Sequence, residues 1–142
     1  MRFLPAVEIP QIAIVALMFA IAIIGWSSAP ARIAVHFGAG GQVNRYGGKV
    51  EGLLLIPLIA SVIYVGGYLI QDLVAGNPQV LSSYILFRFA YLITLAAAYA
   101  AIQLYARGFK VSVGSIVLPV VALDMLATVN FVWHAIAASR AG

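Results

Sequence analysis

Residues 12–24 read IAIVALMFAIAII, an apolar run that no charge, proline or glycine interrupts. With its flanks it forms an apolar stretch over residues 9–26, and similar stretches follow at 53–73, 81–105 and 111–138. Each is close to the ~20 residues that cross ~30 Å of hydrocarbon at a rise of about 1.5 Å per residue. Because backbone polar groups in lipid must be satisfied internally, these stretches predict four transmembrane helices.

The composition indicates the same fold class. Hydrophobic residues make up 64% of the chain and charged residues 8%, whereas soluble domains contain about 45–50% and about 25%. The absence of cysteine excludes disulfides and thiolate metal ligands. The basic residues are scattered and form no run that would bind nucleic acid. The sequence therefore predicts an all-α integral membrane protein with a single domain over residues 1–142, the lipid bilayer as partner and no nucleic-acid partner.

The connections between the predicted helices differ in length. The links near 76–78 and 107–110 are short, which favours antiparallel neighbours. The first link, residues 27–52, reads SSAPARIAVHFGAGGQVNRYGGKVEG and is rich in glycine. Loops of this length are usually functional or disordered, and the apolar residues here argue for order. We expect a four-helix antiparallel bundle with a long ordered glycine-rich loop, packed on the helix ends, between helices 1 and 2.

A spaced set of glycine, aromatic and polar residues runs from the end of the first helix into the second. Its members are Trp26, Pro30, Ile33, His36, Phe37, Gly40, Gly41, Asn44, Tyr46, Gly47, Gly48, Lys49 and Pro57. The pattern resembles the signature of the SdpI-type immunity-protein family. Ala34 and Asn44 depart from it, since proline and aspartate are common there in the family. The resemblance implies a membrane protein that senses, or protects against, a membrane-active toxin or small ligand, with the loop as recognition element.

The glycine pairs in this loop have two interpretations. Gly40 with Gly41, and Gly47 with Gly48, permit positive φ and close backbone approach, which suits a nest of N–H donors for an anion. Lys49 would then supply the opposite charge. Tight turns and a membrane boundary select the same residue types, so both interpretations stay open.

His36 is the polar side chain of the loop with the widest range of possible roles. Zinc needs several ligands at workable spacing, and the nearest carboxylate in sequence is Glu51. We therefore predict no metal site, and a structural or ligand-binding hydrogen bond for His36. We also expect His36 and Lys49 to turn toward the helices.

A second group of polar residues lies inside the apolar stretches. Asp124 is near the middle of the fourth, where a charge costs at least ~2.5–3.5 kcal/mol, so it is expected to be protonated and to face the bundle. Pro119 predicts a helix bend just before it. Arg88 in the third stretch is expected near Asn130 and His134, forming a polar patch. The alternative is that Arg88 and His134 extend toward the membrane interface.

The sequence supports no reaction. It contains no Ser/His/Asp arrangement, no paired carboxylates and no nucleotide motif, so we predict a non-enzymatic protein without catalytic residues or cofactors. Three functions stay open: binding of a peptide or small-molecule ligand through the loop, an accessory role in a larger complex or homo-oligomer, and proton or small-ion transport through Asp124.

The distribution of basic residues predicts the orientation in a cell membrane. The first and third loops contain Arg32, Arg45, Lys49, Arg107 and Lys110, whereas the opposite side contains Arg2 and Arg140, with Arg88 as a possible third. Because basic loops stay in the cytoplasm, we expect the glycine-rich loop inside and both termini outside.

Overall fold

The computed structural model describes residues 5–38 and 41–141. Within these ranges it contains four helices and two strands. They are α1 Pro5–Gly25, β1 Ile33–Phe37, β2 Val43–Gly47, α2 Lys49–Val74, α3 Pro78–Ala106 and α4 Val113–Ala141. All four helices are long and apolar enough to cross a membrane. The four predicted membrane-spanning helices are therefore confirmed, and the chain is consistent with a multi-pass protein in a lipid bilayer.

Three helices begin earlier than the apolar pattern predicted: α1 at Pro5, α2 at Lys49 and α3 at Pro78. α3 begins at Pro78 because the Asn77 side chain caps it, accepting hydrogen bonds from the backbone N–H groups of Gln79 at 3.0 Å and Val80 at 3.2 Å. α2 begins at Lys49, directly after Gly48 in an extended conformation. The starts of α2 and α3 are polar, so a search for apolar residues places the beginning of these two helices too late.

The link between α1 and α2 contains an antiparallel β-hairpin that the sequence analysis did not predict. Ile33 is opposite Gly47, and Phe37 is opposite Val43. The register shifts twice, which leaves Val35 on β1 and Asn44 on β2 without an opposite residue. The strands are short and lie among glycines, so their alternation is too brief to read from the sequence.

The core is formed by α1, α2 and α3. Met18, Ala60, Leu92 and Tyr99 form one buried cluster across these helices. The second cluster seats the hairpin, with Ala22, Ile33, Leu53 and Ile102 as its buried members. Strand β1 of the hairpin is therefore packed against one end of the helices through Ile33.

Helix α4 is attached differently from the other three. It packs chiefly against α3, where Phe131 stacks on Phe87 at 5.8 Å between ring centroids. Further along, the Thr94 hydroxyl donates to the Val120 carbonyl at 3.3 Å. Only 6% of the most apolar part of α4 is buried, against 28% in α3. The face of α4 that points away from α3 is thus left to the lipid or to other proteins.

Candidate functional site

The β-hairpin is anchored to the helices by apolar contacts from β1. Ile33 lies against Gly52, where a Cβ atom would be 2.7 Å from the Ile33 side chain, so only glycine admits this contact. The Gln103 side chain donates to the Gly52 carbonyl at 2.9 Å. The Phe37 ring meets Tyr105 edge to face at 5.3 Å between centroids. These contacts fix the hairpin on α2 and α3.

Lys49 joins the base of the hairpin to the end of α1. Its ammonium group donates to the Trp26 carbonyl at 2.9 Å. A cation at this position complements the negative end of the α1 dipole and satisfies a carbonyl at the helix end. The Lys49 charge is thus engaged by the protein's own backbone, as a membrane-boundary residue would be.

The outer face of the hairpin carries exposed polar and aromatic side chains. His36 is exposed, so the expectation that it turns toward the helices is wrong. It follows Val35, the bulged residue, and a bulge redirects the side chains beside it. Asn44 is also exposed, and Tyr46 is 47% exposed with the Arg32 guanidinium 5.6 Å from its ring centroid. This arrangement is a cation–π contact at the surface.

Arg45 forms a bidentate ion pair with Glu51 at the start of α2. Nη1 donates to Oε2 at 3.1 Å and Nη2 donates to Oε1. The hydrogen bond to Glu51, and then the attraction between the two charges, raises the pKa of Arg45 above its ordinary value. The pair neutralises one of the basic residues of the hairpin and ties β2 to α2.

Gly41, Gly47 and Pro57 of the predicted loop motif occupy positions that backbone conformation or packing explains. Gly41 has a φ of +80°, which favours glycine, whereas Gly40 lies outside the described residues. A Cβ atom on Gly47 would collide with the Glu51 carboxylate. Pro57 is buried in α2, and the Ser61 hydroxyl donates to its carbonyl at 2.9 Å.

A buried ionic cluster lies among α1, α2 and α3, near the end of α2. Arg88 donates from Nη1 to Glu8 Oε1 at 3.2 Å and from Nη2 to Glu8 Oε2 at 3.0 Å. Nη1 also donates to Gln71 Oε1 at 2.6 Å. Arg88 is 3% exposed and Glu8 is 0% exposed. The Arg88 guanidinium lies 5.6 Å from the Tyr64 ring centroid and 6.0 Å from that of Tyr84.

This cluster replaces the polar patch that was expected around Arg88. The guanidinium is bonded to Glu8 and Gln71, whereas Asn130 lines an apolar groove of about 370 Å³ between α3 and α4. His134 is half-buried on α4. The Arg88 side chain does not extend into water either, since it is buried and paired with the Glu8 carboxylate that a buried cation requires.

Glu8 and Gln71 were missed in the sequence analysis. Glu8 is the sole acidic residue of α1, and Gln71 lies in the last turns of α2. An acid inside an otherwise apolar helix indicates a partner in the bundle. Helix adjacency decides which partner, and the sequence contains no direct signal for that.

Asp124 lies at the side of α4 that contacts α3. Its Oδ1 atom is buried and has no hydrogen-bond partner among the residues that the structure describes. The Thr128 hydroxyl, the nearest candidate one turn later, donates to the Asp124 backbone carbonyl at 2.8 Å instead. The buried acid is therefore not satisfied by its own helix.

The hairpin coincides with the part of the chain that is similar to a known family. Residues 13–60 match the family described as Domain of unknown function (DUF1648). This range begins in α1, includes both strands and ends within α2, and it covers less than half of the chain. The match is consistent with the membrane domain of SdpI-type proteins. No curated protein and no solved structure shows significant similarity to the chain.

Proposed function

We propose that this chain is a non-enzymatic, multi-pass membrane protein of the SdpI type that binds a toxin or another small ligand through its hairpin. The observation that carries the proposal is the contrast between the two sides of the hairpin. Ile33 and Phe37 hold it on the helices, whereas Asn44 and Tyr46 are exposed with no comparable apolar contact. Rigid support beneath an exposed polar and aromatic face is the usual design of a recognition element.

The free edge of β2 supports a peptide as the ligand. Apart from the pairing with β1, the backbone groups of Val43–Gly47 form no hydrogen bond with any residue in the described ranges. β2 is also the strand with fewer contacts to the helices. An extended peptide gains main-chain hydrogen bonds by joining such an edge.

The charge at this end of the molecule favours an anionic ligand. The hairpin, the start of α2 and the link after α3 contain five basic residues and one acid. They are Arg32, Arg45, Lys49, Arg107, Lys110 and Glu51. Arg45 is neutralised by Glu51, Lys49 donates to the Trp26 carbonyl and Arg107 donates to the Gln103 carbonyl. Arg32 and Lys110 are therefore the exposed charges that are most available to a ligand.

Contacts along the helices support an antiparallel arrangement in the membrane. On α3, Tyr84 bonds to Gly67 of α2 and Gln103 bonds to Gly52, so the partners on α2 descend as α3 ascends. The contacts of α3 with α4 descend in the same way. Combined with the basic residues of the hairpin end, this arrangement favours a cytoplasmic hairpin and external termini.

The proposal is tested by replacing the exposed face and leaving its support intact. Cells that produce the wild-type chain, or the variant Arg32→Ala/Asn44→Ala/Tyr46→Ala, are exposed to a panel of membrane-active peptides while depolarisation is recorded. We expect the wild type to delay depolarisation by at least one peptide, and the triple variant to lose that delay. Arg140→Ala, at the opposite end, is the control. Equal protection by the wild type and the triple variant would contradict hairpin recognition.

An accessory role in a larger complex is the second candidate. The observation that favours it is that α4 packs chiefly on α3 and leaves its other face exposed to neighbouring chains. Purification in a mild detergent distinguishes the two functions. A subunit co-purifies with stoichiometric partners, whereas a self-contained receptor purifies alone. A bulky substitution on the exposed face of α4, such as Leu126→Trp, should release the partners of a subunit.

A further inference from the structure

Asp124 stands apart from the hairpin and from the buried ionic cluster. By a rise of about 1.5 Å per residue, it lies about 16 Å from the start of α4 and about 25 Å from its end. Both distances place the carboxyl group well inside the hydrocarbon. An acid at such a depth is a candidate functional site in its own right.

The hydroxyl groups near Asp124 donate their hydrogen bonds to backbone carbonyls and not to its carboxyl group. The Thr128 hydroxyl donates to the Asp124 backbone carbonyl, and the Thr94 hydroxyl donates to the carbonyls of Ala90 and Val120. The carboxylate oxygen Oδ1 is buried without a partner in the described part of the chain. An ionised carboxylate would need several donors here, and the geometry supplies none to this oxygen.

The charged and titratable groups of the two packed helices offer no cation for Asp124. On α3, the guanidinium of Arg88 is bonded to Glu8 and Gln71, and the other titratable groups are tyrosines, with Tyr91 at about the level of Asp124. On α4 itself, His134 and Arg140 lie ten and more residues away. Because no cationic side chain of α3 or α4 in the described part of the chain pairs with Asp124, a bound proton is the simplest way to neutralise its carboxylate.

We propose that Asp124 is a proton-binding site within the membrane, held as a neutral carboxylic acid at neutral pH. Helix α4 packs chiefly on α3, and Asp124 is only partly covered. The acid therefore lies at the border between the helix seam and the lipid. Small apolar molecules reach it from the bilayer, whereas water-soluble ones do not.

The neutral acid has a distinctive reaction with the apolar reagent dicyclohexylcarbodiimide. The O–H of the acid adds across one C=N bond, with the proton going to nitrogen and the carboxyl oxygen bonding to the central carbon. The acyl group then migrates to nitrogen and leaves a stable N-acylurea. No oxidant or further reactant is needed. Within lipid, an ionised carboxylate lacks this proton and does not begin the addition, whereas in water the solvent protonates the carbodiimide, so an exposed carboxylate also reacts with a water-soluble reagent.

The chain contains its own controls, because it has four carboxylic side chains in total. Glu8 is more deeply buried than Asp124 and is paired with Arg88, and Glu51 is paired with Arg45. Asp72 is exposed at the end of α2. The four groups therefore combine burial and charge in different ways.

The experiment treats the purified full-length protein in detergent with the carbodiimide at pH 7 and locates the adduct by mass spectrometry. We expect the adduct at Asp124, with Glu8, Glu51 and Asp72 spared. Asp124→Asn should abolish it and Asp124→Glu should retain it. A water-soluble carbodiimide with an amine should show the reverse order and modify Asp72. An unmodified Asp124, or a Glu8 that reacts as fast, would overturn the proposal; so would the water-soluble reagent reaching Asp124 first.

Discussion

Removing one partner of the ion pair between Glu8 and Arg88 should destabilise the protein more than breaking any other polar contact in the part of the chain that the structure describes. It joins α1 to α3 through two residues that are eighty positions apart in sequence, and both side chains are almost fully buried. Glu8→Gln keeps the size of the side chain but removes the charge that compensates Arg88. The perturbation therefore isolates the electrostatic part of the contact.

The magnitude follows from the hydrogen bonds that are lost. Arg88 donates two bonds to Glu8, at 3.2 and 3.0 Å, and a hydrogen bond to a charged group contributes about 1.5–3 kcal/mol. Glutamine retains one acceptor, so one strong bond disappears and the guanidinium is left without a full counter-charge. Removing one partner of a buried pair costs about 3–5 kcal/mol, and we expect a loss of free energy of unfolding in this range.

The assay is reversible unfolding in mixed micelles at increasing fractions of denaturing detergent. Arg45→Gln, which breaks the exposed pair with Glu51, is the matched control and should leave the midpoint almost unchanged. The double variant Glu8→Leu/Arg88→Met should recover much of the loss, because replacing both charges with apolar groups removes the desolvation penalty. A Glu8→Gln midpoint equal to that of Arg45→Gln would refute the reasoning.

Two further predictions concern the seat of the hairpin and the orientation of the chain. Gly52→Val should lower the free energy of unfolding by about 1–3 kcal/mol in the same assay, because the new atoms overlap Ile33. Gly66→Ala is the control and should be neutral or slightly stabilising, since its Cβ meets open space. Equal losses of stability at the two glycines would contradict the packing of Ile33 on Gly52. In intact cells, a cysteine at Asn77 should react with an impermeant maleimide and one at Gln42 should not, since the basic hairpin end is expected in the cytoplasm, and external labelling of Gln42 would reverse the orientation.

The helices could be predicted from sequence because their cause is local. An apolar stretch of sufficient length must form a helix in lipid, whatever its neighbours are. Their ends were harder to place, since Asn77 and Lys49 begin helices with polar residues. The hairpin was missed because its strands have five residues each and are held by partners on α2 and α3, which a reading of the loop alone does not include.

The candidate sites show the same division between local and non-local causes. Asp124 stands out in sequence because a lone acid in an apolar stretch is costly wherever the helix lies. Arg88 stands out for the same reason, yet its partner is set by which helices adjoin. The expected neighbours on α4 were chosen from the level along the helix, whereas α1 also packs on α3 and presents Glu8 to Arg88.

The packing separates the proposed recognition element from the proposed proton site. The hairpin rests on α2 and α3 through Ile33 and Phe37, and the Arg88 cluster locks these helices to α1. Asp124 belongs to α4, which is joined to this unit chiefly along one face of α3. Coupling between two sites requires an element with two arrangements that both sites bias, and the contacts of the described residues include none.

Substitutions on the hairpin face should therefore leave carbodiimide labelling of Asp124 unchanged, and labelling should leave hairpin-dependent protection unchanged. A measured effect in either direction would require that α4 shifts along α3 when the hairpin is occupied.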